Sequence, residues 1–233
     1  MKTLVILQSS YIPWKGYFDL ISRCDEFVFY DDTQFTRRDW RSRNRIKTAQ
    51  GVKWLTVPVN SKGRYDQLIN EVKVSDPLWA EQHWETIRHA YRQAPCFAEQ
   101  EGWLRALYET VGRYEYLSRI NFEMTIAIST FLGIRTKFSR SGSYPGTGRK
   151  TRRLIDICLE CGATAYLSGP SAREYLETAA FSESGIELHF MTYEGYPLYS
   201  QLHGPVVHEV SIIDAIFNVG ADARLTFRGA ASH

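Results

Sequence analysis

Short apolar segments rich in β-forming residues alternate with helical patterns at both ends of this chain. Residues 3–7 (TLVIL) and 26–30 (EFVFY) have the character of strands, and apolar residues recur at helical spacing over 17–24. A strand, loop, helix and strand in this order form a short parallel βαβ unit. In the last third, predicted strands at 135–140, 163–169 and 185–191 alternate with predicted helices at 149–161, 170–181 and 210–220. The alternation predicts an α/β fold with a Rossmann-like parallel sheet.

The middle of the chain interrupts this alternation. Residues 44–59 have the character of two strands around Ala49-Gln50-Gly51, which favours a β-hairpin, and residues 68–74 are a candidate third strand. From Asp76 the pattern is helical, because Asp-Pro is typical of a helix start and further helical patterns run to Gly133. One face of the first of these helices carries Trp79, His83, Ile87 and Tyr91. We expect one α/β domain over residues 1–233, with a β-hairpin and a helical insert at 76–134.

Composition narrows the class of protein. The chain has 233 residues, 44% of them hydrophobic, which is enough for one core. Its net charge is +2, so any contact with a polyanion has to be local. No run reaches the roughly 18 apolar residues of a membrane span, and the first residues predict a strand and not a signal peptide. Four cysteines do not make a disulfide scaffold, and we expect a cytoplasmic protein with reduced thiols.

Ligands of open parallel sheets bind outside the carboxyl ends of the strands. Four segments of this chain follow predicted strands and are expected to form the pocket: residues 8–18, 31–47, 139–150 and 167–175. The last of these offers Ser168 and Tyr175 as candidate ligand contacts. The third is glycine-rich and enters a helix, which fits a phosphate-binding loop or a plain flexible loop, although its spacing is not that of a P-loop.

The loop after the first strand combines a fixed amide with aromatic residues. Gln8 ends the strand, and Pro13 and Gly16 shape a turn into a helix whose N-terminus attracts anions. Nucleotidyl-transferring enzymes carry a His-x-Gly-His signature at this place, whereas this chain has Trp14-Lys15-Gly16-Tyr17 and neither histidine. The alternative is that Tyr11, Trp14 and their aromatic neighbours are core residues at a helix start.

A basic stretch occupies residues 33–47. It holds Arg37, Arg38, Arg41, Arg43, Arg45 and Lys47 against one carboxylate, Asp39. Such runs are usually solvated faces, but here Phe35 and Trp40 interleave with the charges. In a strand, alternate arginines point to one face and repel one another unless an anion lies among them. We therefore expect a phosphorylated substrate here.

Several isolated residues have two interpretations. Asp31 and Asp32 precede the basic stretch and either hold Mg²⁺ or pair with the arginines. Cys158 and Cys161 form a Cys-x-x-Cys inside a helical pattern, where two helix cysteines are a simpler interpretation than a zinc or redox site. His203 lies in an aromatic and polar loop and is either a general base or a structural histidine.

Read together, these segments resemble the WbqC-like family over about residues 3–220. The opening motif is matched by Gln8, Tyr11, Pro13, Trp14, Gly16, Tyr17 and Phe18, with Ser9 at a position where that family usually has proline. The basic stretch fits the family pattern through Arg38, Trp40, Arg43, Asn44, Arg45, Ile46 and Lys47. The resemblance implies a place in O-antigen or other surface polysaccharide biosynthesis and the transfer of an amino acid, glycine in particular, to a sugar.

The expected function is therefore a transferase that joins an aminoacyl or acyl donor to an amino sugar carried on a nucleotide. His203, Gln8 and Asp32 are the catalytic candidates, with His203 as the base. The candidates for substrate binding are Tyr11, Trp14, Arg38, Trp40, Arg43, Asn44, Arg45, Lys47, Ser168 and Tyr175. The donor could be an aminoacyl-tRNA, an acyl adenylate or a carrier-protein thioester, and a magnesium requirement and homo-oligomers stay open. The alternatives are an ATP-dependent ligase or nucleotidyltransferase and a non-catalytic RNA-binding or phosphate-binding module.

Overall fold

A five-stranded parallel sheet forms the centre of the computed structural model, which describes residues 1–146 and 148–227. Its strands are β1 (Thr3–Leu7), β2 (Glu26–Phe29), β5 (Lys137–Arg140), β6 (Ala165–Ser168) and β7 (Glu187–Phe190). The antiparallel hairpin lies outside this sheet and consists of β3 (Arg43–Thr48) and β4 (Gly51–Thr56). The order in the sheet is β5-β2-β1-β6-β7, and all neighbouring strands are parallel. The predicted fold class is confirmed.

Helices cover both faces of the sheet, which is why the central strands β1, β2 and β6 are nearly continuous apolar runs, whereas the edge strands β5 and β7 contain exposed charged residues. The helices are α1 (Lys15–Ser22), α2 (Trp79–Tyr91), α3 (Phe97–Val111), α4 (Leu117–Phe131), α5 (Thr151–Glu160), α6 (Thr178–Glu183) and α7 (Ile212–Val219). On one face, α1 and α7 contribute Phe18 and Ile216 to a core with Phe27 of β2. On the other face, α5 and α6 contribute Ile155 and Phe181.

The hairpin and the helices α2, α3 and α4 share a third core. It joins Ile46 of β3 and Leu55 of β4 to Ile87 of α2, Leu104 of α3 and Phe217 of α7. The predicted helix face of Trp79, His83, Ile87 and Tyr91 is buried in this region. The helical segment is therefore packed against the hairpin and not held at a distance from it.

Two predicted elements differ from the structure. Residues 68–74 form no strand and contain a 3-10 turn at Ile69–Glu71. Two hydrogen bonds stabilise this turn: Leu68 N–H donates to the Glu71 carboxylate, and Glu71 N–H donates to Leu68 O. The predicted helix at 170–181 is broken into a 3-10 turn at Pro170–Glu174 and α6. Glu177 lies between them in an extended conformation, and its N–H donates to Thr151 Oγ1.

None of the helices within residues 1–146 and 148–227 has the length and apolar character needed to cross a membrane. The last six positions of the predicted domain, 228–233, and Thr147 of the glycine-rich segment lie outside the described residues.

Candidate functional site

A cavity of about 350 Å³ opens at the carboxyl end of the central strand β1. It is lined by Leu7, Gln8, Ser10, Pro13, Trp14, Tyr17, Trp40, Arg41, Asn44, Arg45, Ser171, Tyr193 and Glu209. The strands β1 and β6 are neighbours, yet the helices that follow them, α1 and α6, pack on opposite faces of the sheet. The cavity therefore lies where the order of the strands reverses, which is the preferred ligand position in this class of fold.

The main chain beside the cavity is held in a strained conformation. Ile12 has a φ of +35°, which is unusual for a β-branched residue. The Asn44 amide holds it in place, because Asn44 Nδ2 donates at 3.0 Å to both Tyr11 O and Ile12 O. Asn44 Oδ1 in turn accepts the Arg45 N–H at 2.8 Å. This clamp fixes the turn that brings Pro13 and Trp14 to the cavity wall.

Arginine side chains give the hairpin side of the cavity a positive charge. Arg41 lines the cavity and its Nη1 lies 3.5 Å from Asp39 Oδ2. Arg45 also lines it, and no carboxylate of the described residues forms an ion pair with Arg43 or Arg45. The Nε atoms of both are buried and make no hydrogen bond within that part of the chain. Buried donors without partners are costly, so these groups are suited to an anionic ligand.

A carboxyl group of altered acidity lies beside this positive wall. Asp31 follows β2, is 8% exposed, and accepts the Ser9 N–H at 2.8 Å through Oδ1. Burial raises its pKa to about 6, and the positive charges of Arg41 and Arg140 oppose that rise. The charge of Asp31 also acts on Tyr17, a lining residue. A carboxyl group with this pKa can release or take up a proton near neutral pH.

The comparisons with known proteins fit this geometry. The model of the WbqC-like protein family matches residues 8–226. The chain belongs to the WbqC-like protein family. It is also 47% identical over 223 residues to the uncharacterized protein Rv1507c of Mycobacterium tuberculosis, with 96% of each chain covered. No solved structure matches the chain significantly.

The two family-like motifs meet at the cavity. The first contributes Gln8, Pro13, Trp14 and Tyr17 to the lining, and the second contributes Trp40, Asn44 and Arg45. Gln8 Nε2 donates to Thr33 Oγ1 at 2.8 Å, which fixes the amide at the strand end. The Trp14 ring packs edge-on against Tyr193, with centroids 5.1 Å apart. In this WbqC-like chain, more than half of the cavity lining therefore comes from the two motifs.

Three predicted site residues have structural contacts away from the cavity. His203 Nε2 lies 2.8 Å from Ala90 O, and His203 lines a separate hollow between the hairpin tip and α2. Lys47 is 3% exposed, and its Nζ donates to Gln201 Oε1, Gly204 O and Pro205 O. Tyr11 is fully buried, and its hydroxyl contacts His83 Nδ1 and the Tyr108 hydroxyl, both at 2.8 Å.

Five other predicted residues, Arg43 among them, also lie outside the lining. Asp32 accepts a hydrogen bond from Ser141 Oγ and lies 3.8 Å from Arg153 Nη2. Ser168 is buried, and Tyr175 is 69% exposed. Arg38 is exposed and has a φ of +55°. Of the four segments expected to form the pocket, 139–150 contributes no lining residue, while Ser171 represents the segment 167–175.

Besides Leu7, the last residue of β1, two lining residues lie outside the four expected segments. Tyr193 follows β7, and the rule that ligands bind at carboxyl ends of strands would have found it if β7 had been included. Glu209 precedes α7 and comes close through pairing of Trp14 with Ser211, for which the sequence contains no signal. The described ranges contain no group of three or more His, Cys, Asp or Glu side chains that could hold a metal ion.

Proposed function

We propose that this protein is a transferase that forms an amide bond between an aminoacyl or acyl donor, such as a glycyl group, and an amino sugar carried on a nucleotide. One observation carries the proposal: the aromatic-walled cavity is lined by Arg45, which has no carboxylate partner in the described residues, and by Arg41. The charge of Arg41 acts on Asp31, a buried carboxyl group behind the lining whose pKa is about 6. The arginine suits a phosphate group, and the carboxyl group suits proton transfer. Membership of the WbqC-like family is compatible with this activity.

The proposed step uses Asp31 as the base, in place of His203. The amine nitrogen of the sugar attacks the carbonyl carbon of the donor, and a carbon–nitrogen bond forms. The bond from that carbon to the leaving oxygen or sulfur breaks, and the leaving group departs with the electron pair. The amine proton passes to the Asp31 carboxylate, which is ionised at neutral pH because its pKa is about 6. Trp14 and Tyr193 would exclude water from the competing hydrolysis of the donor.

The test is a turnover assay with nucleotide amino sugars as acceptors and glycyl-tRNA, glycyl adenylate or a glycyl thioester as donors. Mass spectrometry would detect the amide product. Asp31→Asn should lower kcat by about 10²- to 10⁴-fold with little change in acceptor affinity, because only proton transfer is lost. Asp66→Asn is the matched control, since Asp66 is exposed and lines a different hollow. Full activity of Asp31→Asn would remove Asp31 from the mechanism.

A second candidate is an ATP-dependent ligase or nucleotidyltransferase. It is favoured by the loop between β1 and α1, which lies at the point where the strand order reverses. This activity requires magnesium-dependent ATP binding and release of pyrophosphate with a carboxylate substrate. A thermal-shift comparison separates the two candidates, because a ligand that binds the folded state raises Tm. Stabilisation by ATP and Mg²⁺, without stabilisation by nucleotide amino sugars, would favour the ligase.

A further inference from the structure

The outer face of the hairpin carries a row of guanidinium and indole groups that ends at the cavity. Arg43 Cζ lies 4.1 Å from the centre of the Trp54 ring, and the Trp54 and Trp40 ring centres are 5.3 Å apart. Arg45 Cζ lies 5.5 Å from the Trp40 ring and 5.6 Å from the Trp54 ring. Trp40 and Arg45 also line the cavity. We call these four residues the hairpin stack.

The strand pairing places these groups on one face. Arg43 and Arg45 are two residues apart in β3, so their side chains point the same way. Arg45 is directly paired with Trp54 of β4. Trp40 precedes β3, and its carbonyl oxygen accepts the Tyr11 N–H at 2.9 Å, which ties it to the strained loop. The hairpin stack is therefore anchored to the same backbone that shapes the cavity.

Folding alone gives little reason for this arrangement. Trp40 and Trp54 are 41% and 40% exposed, although indole rings are usually covered when they stabilise a fold. The two arginines form no ion pair with a carboxylate in the described part of the chain. A neighbouring pair of exposed aromatic rings and free guanidinium groups matches a ligand that combines a planar ring with phosphates.

The size of the cavity also supports a ligand that extends from the cavity onto the hairpin stack. Its volume of about 350 Å³ is at the lower end of small-molecule sites. It suits a sugar ring and a short acyl group better than a whole nucleotide sugar. The nucleotide part of the proposed acceptor would then have to lie outside, and the hairpin stack is the surface continuous with the opening through Trp40 and Arg45.

We propose that the hairpin stack is a nucleoside diphosphate subsite, with the base against Trp40, the diphosphate on Arg45 and Arg41, and the attached sugar in the cavity. This inference rests on the proposed function for its choice of a nucleotide-linked sugar. It commits to a nucleotide-linked sugar as the occupant, and not to a nucleic acid. A single strand of RNA would use the same ring and guanidinium chemistry, and is distinguished by the test.

The test measures the affinity of UDP, ADP and inorganic pyrophosphate for the full chain by calorimetry. Trp40→Leu should weaken UDP or ADP binding about 5- to 100-fold, the usual effect of losing one stacked base, and change pyrophosphate binding less than about twofold. Trp40→Tyr should restore most of the affinity, because it keeps an aromatic face. Arg45→Gln should weaken the binding of all three ligands. Val52→Ala is the matched control, being 43% exposed on the same hairpin and outside the stack.

Three results would overturn the inference: no binding of either nucleotide by the unaltered protein, equal nucleotide affinity in Trp40→Leu, or tighter and steeply salt-dependent binding of a short single-stranded RNA. Its failure differs from failure of the proposed function. If Trp40→Leu selectively loses nucleotides while no donor yields an amide, the subsite stands and the transferase proposal fails. If amide forms on a sugar phosphate that lacks a base, at a rate unaffected by Trp40→Leu, the transferase stands and the subsite fails.

Discussion

Ile12 has a φ of +35°, which a β-branched residue disfavours, and two hydrogen bonds from one amide hold it there. Asn44 is 2% exposed, so its NH₂ group has no access to bulk water as an alternative partner. The two carbonyl groups that accept these bonds, Tyr11 O and Ile12 O, both require a donor. A side chain of the same shape that lacks the NH₂ group would therefore separate the effect of hydrogen bonding from that of packing.

Replacing Asn44 should destabilise the protein and disrupt the cavity. Asn44→Ala leaves two buried carbonyl groups without a donor, and we expect a loss of about 1–3 kcal/mol in the free energy of unfolding. Asn44→Asp should cost at least as much, because it sets a carboxylate oxygen against the two carbonyl oxygens. Urea denaturation measures both variants. An Asn44→Asp variant as stable as the unaltered protein would show that the clamp contributes little.

Asp31 should reduce stability at neutral pH. Its pKa is 3.8 as an ordinary group and about 6 in the fold, where burial favours the protonated form. Between pH 3.8 and about 6 the folded state keeps a proton on Asp31 that the unfolded state releases. The contribution of Asp31 to the free energy of unfolding therefore falls as pH rises through this window. Asp31→Asn should therefore be more stable than the unaltered protein at pH 8, by up to roughly 3 kcal/mol.

The pH dependence provides the control for this prediction. The advantage of Asp31→Asn should shrink as pH falls below 6 and become small at pH 4, where the carboxyl group is protonated in the folded state and about half protonated in the unfolded state. Denaturant unfolding at pH 4, 6 and 8 measures it. A constant difference across this range would mean that the variant acts through packing and not through the charge of Asp31.

At the residue scale, the sequence locates a side chain where its position follows from strand geometry. Gln8 lines the cavity because it directly follows a strand, and Arg45 does so because alternate residues of a strand share a face. Lys47 shares that face by sequence but is buried against the carbonyl groups of Gly204 and Pro205. Those partners are more than 150 residues away, and no local pattern reveals such a contact.

Helix α1 begins closer to the cavity than its sequence pattern suggested, at Lys15 and not near Tyr17. Its first turn contains Gly16, where an added Cβ would collide with the ring of Trp14. The absence of a side chain at this position therefore lets the indole lie across the start of the helix. In that place Trp14 closes one wall of the cavity together with Tyr193.

Gly16→Ala should displace the Trp14 ring and weaken ligand binding at the cavity. We expect at least about a tenfold loss of acceptor affinity if the ring moves into the opening, with a modest loss of stability, because a small-to-large change in a packed site costs about 1–3 kcal/mol. Calorimetry measures the affinity, and urea denaturation measures the stability. Gly102→Ala is the control, since nothing lies within 4 Å of a Cβ added there. Unchanged affinity in Gly16→Ala would contradict this account of the wall.

The loop after β1 is joined to α2 and α3 by a chain of hydrogen bonds through Tyr11, His83 and Tyr108. His83 Nε2 lies 3.2 Å from Thr56 O, which connects the hairpin to this series of hydrogen bonds. Burial lowers the pKa of His83 to about 4, so the ring is neutral at physiological pH. Its Nδ1 then accepts the Tyr11 hydroxyl while Nε2–H donates to Thr56 O.

Tyr11→Phe tests whether Tyr11 stabilises the fold or contacts the ligand. We expect a loss of about 1–3 kcal/mol in stability, because the buried groups of His83 and Tyr108 lose a partner. Acceptor affinity should change less than about twofold, because the Tyr11 hydroxyl points away from the cavity. Urea denaturation and calorimetry measure the two quantities. A large loss of affinity at unchanged stability would place Tyr11 among the ligand contacts after all.

The elements themselves could be predicted where periodicity and length agreed. The central strands of the parallel sheet were found because each is a short apolar run between loop residues, and the edge strands β5 and β7 because they alternate with helical patterns. Residues 68–74 were misleading, since their alternation reflects isolated bridges from Leu68 to Gln34 and from Lys73 to Tyr116 and not a continuous ladder. At 170–181, Pro170 opens a 3-10 turn, and helical spacing alone does not distinguish this from an α-helix.

At the scale of the whole molecule, a shared core links three parts of the chain that are distant in sequence. Ile46 of the hairpin, Ile87 of the helical segment and Phe217 near the end of the described residues belong to one buried cluster. Neither the hairpin nor the helices could bury these surfaces alone. The division into one domain with an insert at 76–134 remains our proposal, and the shared core supports it.

A chain built in this way should unfold in a single cooperative transition. Far-UV circular dichroism, which follows helices throughout the chain, and near-UV signals from buried aromatic residues should give the same midpoint in urea. Deletion of residues 76–134 should leave a protein without a fixed tertiary structure, because Ile46 and Phe217 would lose their covering. Two separated midpoints, or a folded deletion variant, would identify the helical segment as an independent unit.

The order of the strands could not be derived from the sequence, because it depends on which helices cross which face. This limited the predicted pocket: three of its four segments reach the cavity, but 139–150 follows β5 at the edge of the sheet, two strands from β1. His203 lies away from the cavity for a related reason. Its loop folds back onto α2, and the sequence does not indicate that return.

The clamp at Asn44 has a kinetic consequence. The loop that forms the cavity wall is already fixed by hydrogen bonds within the protein, so we expect little conformational entropy to be lost when a ligand binds. Association should then proceed at the rate set by diffusion and by attraction to the arginines. Ligands of different affinity would differ mainly in how long they stay bound.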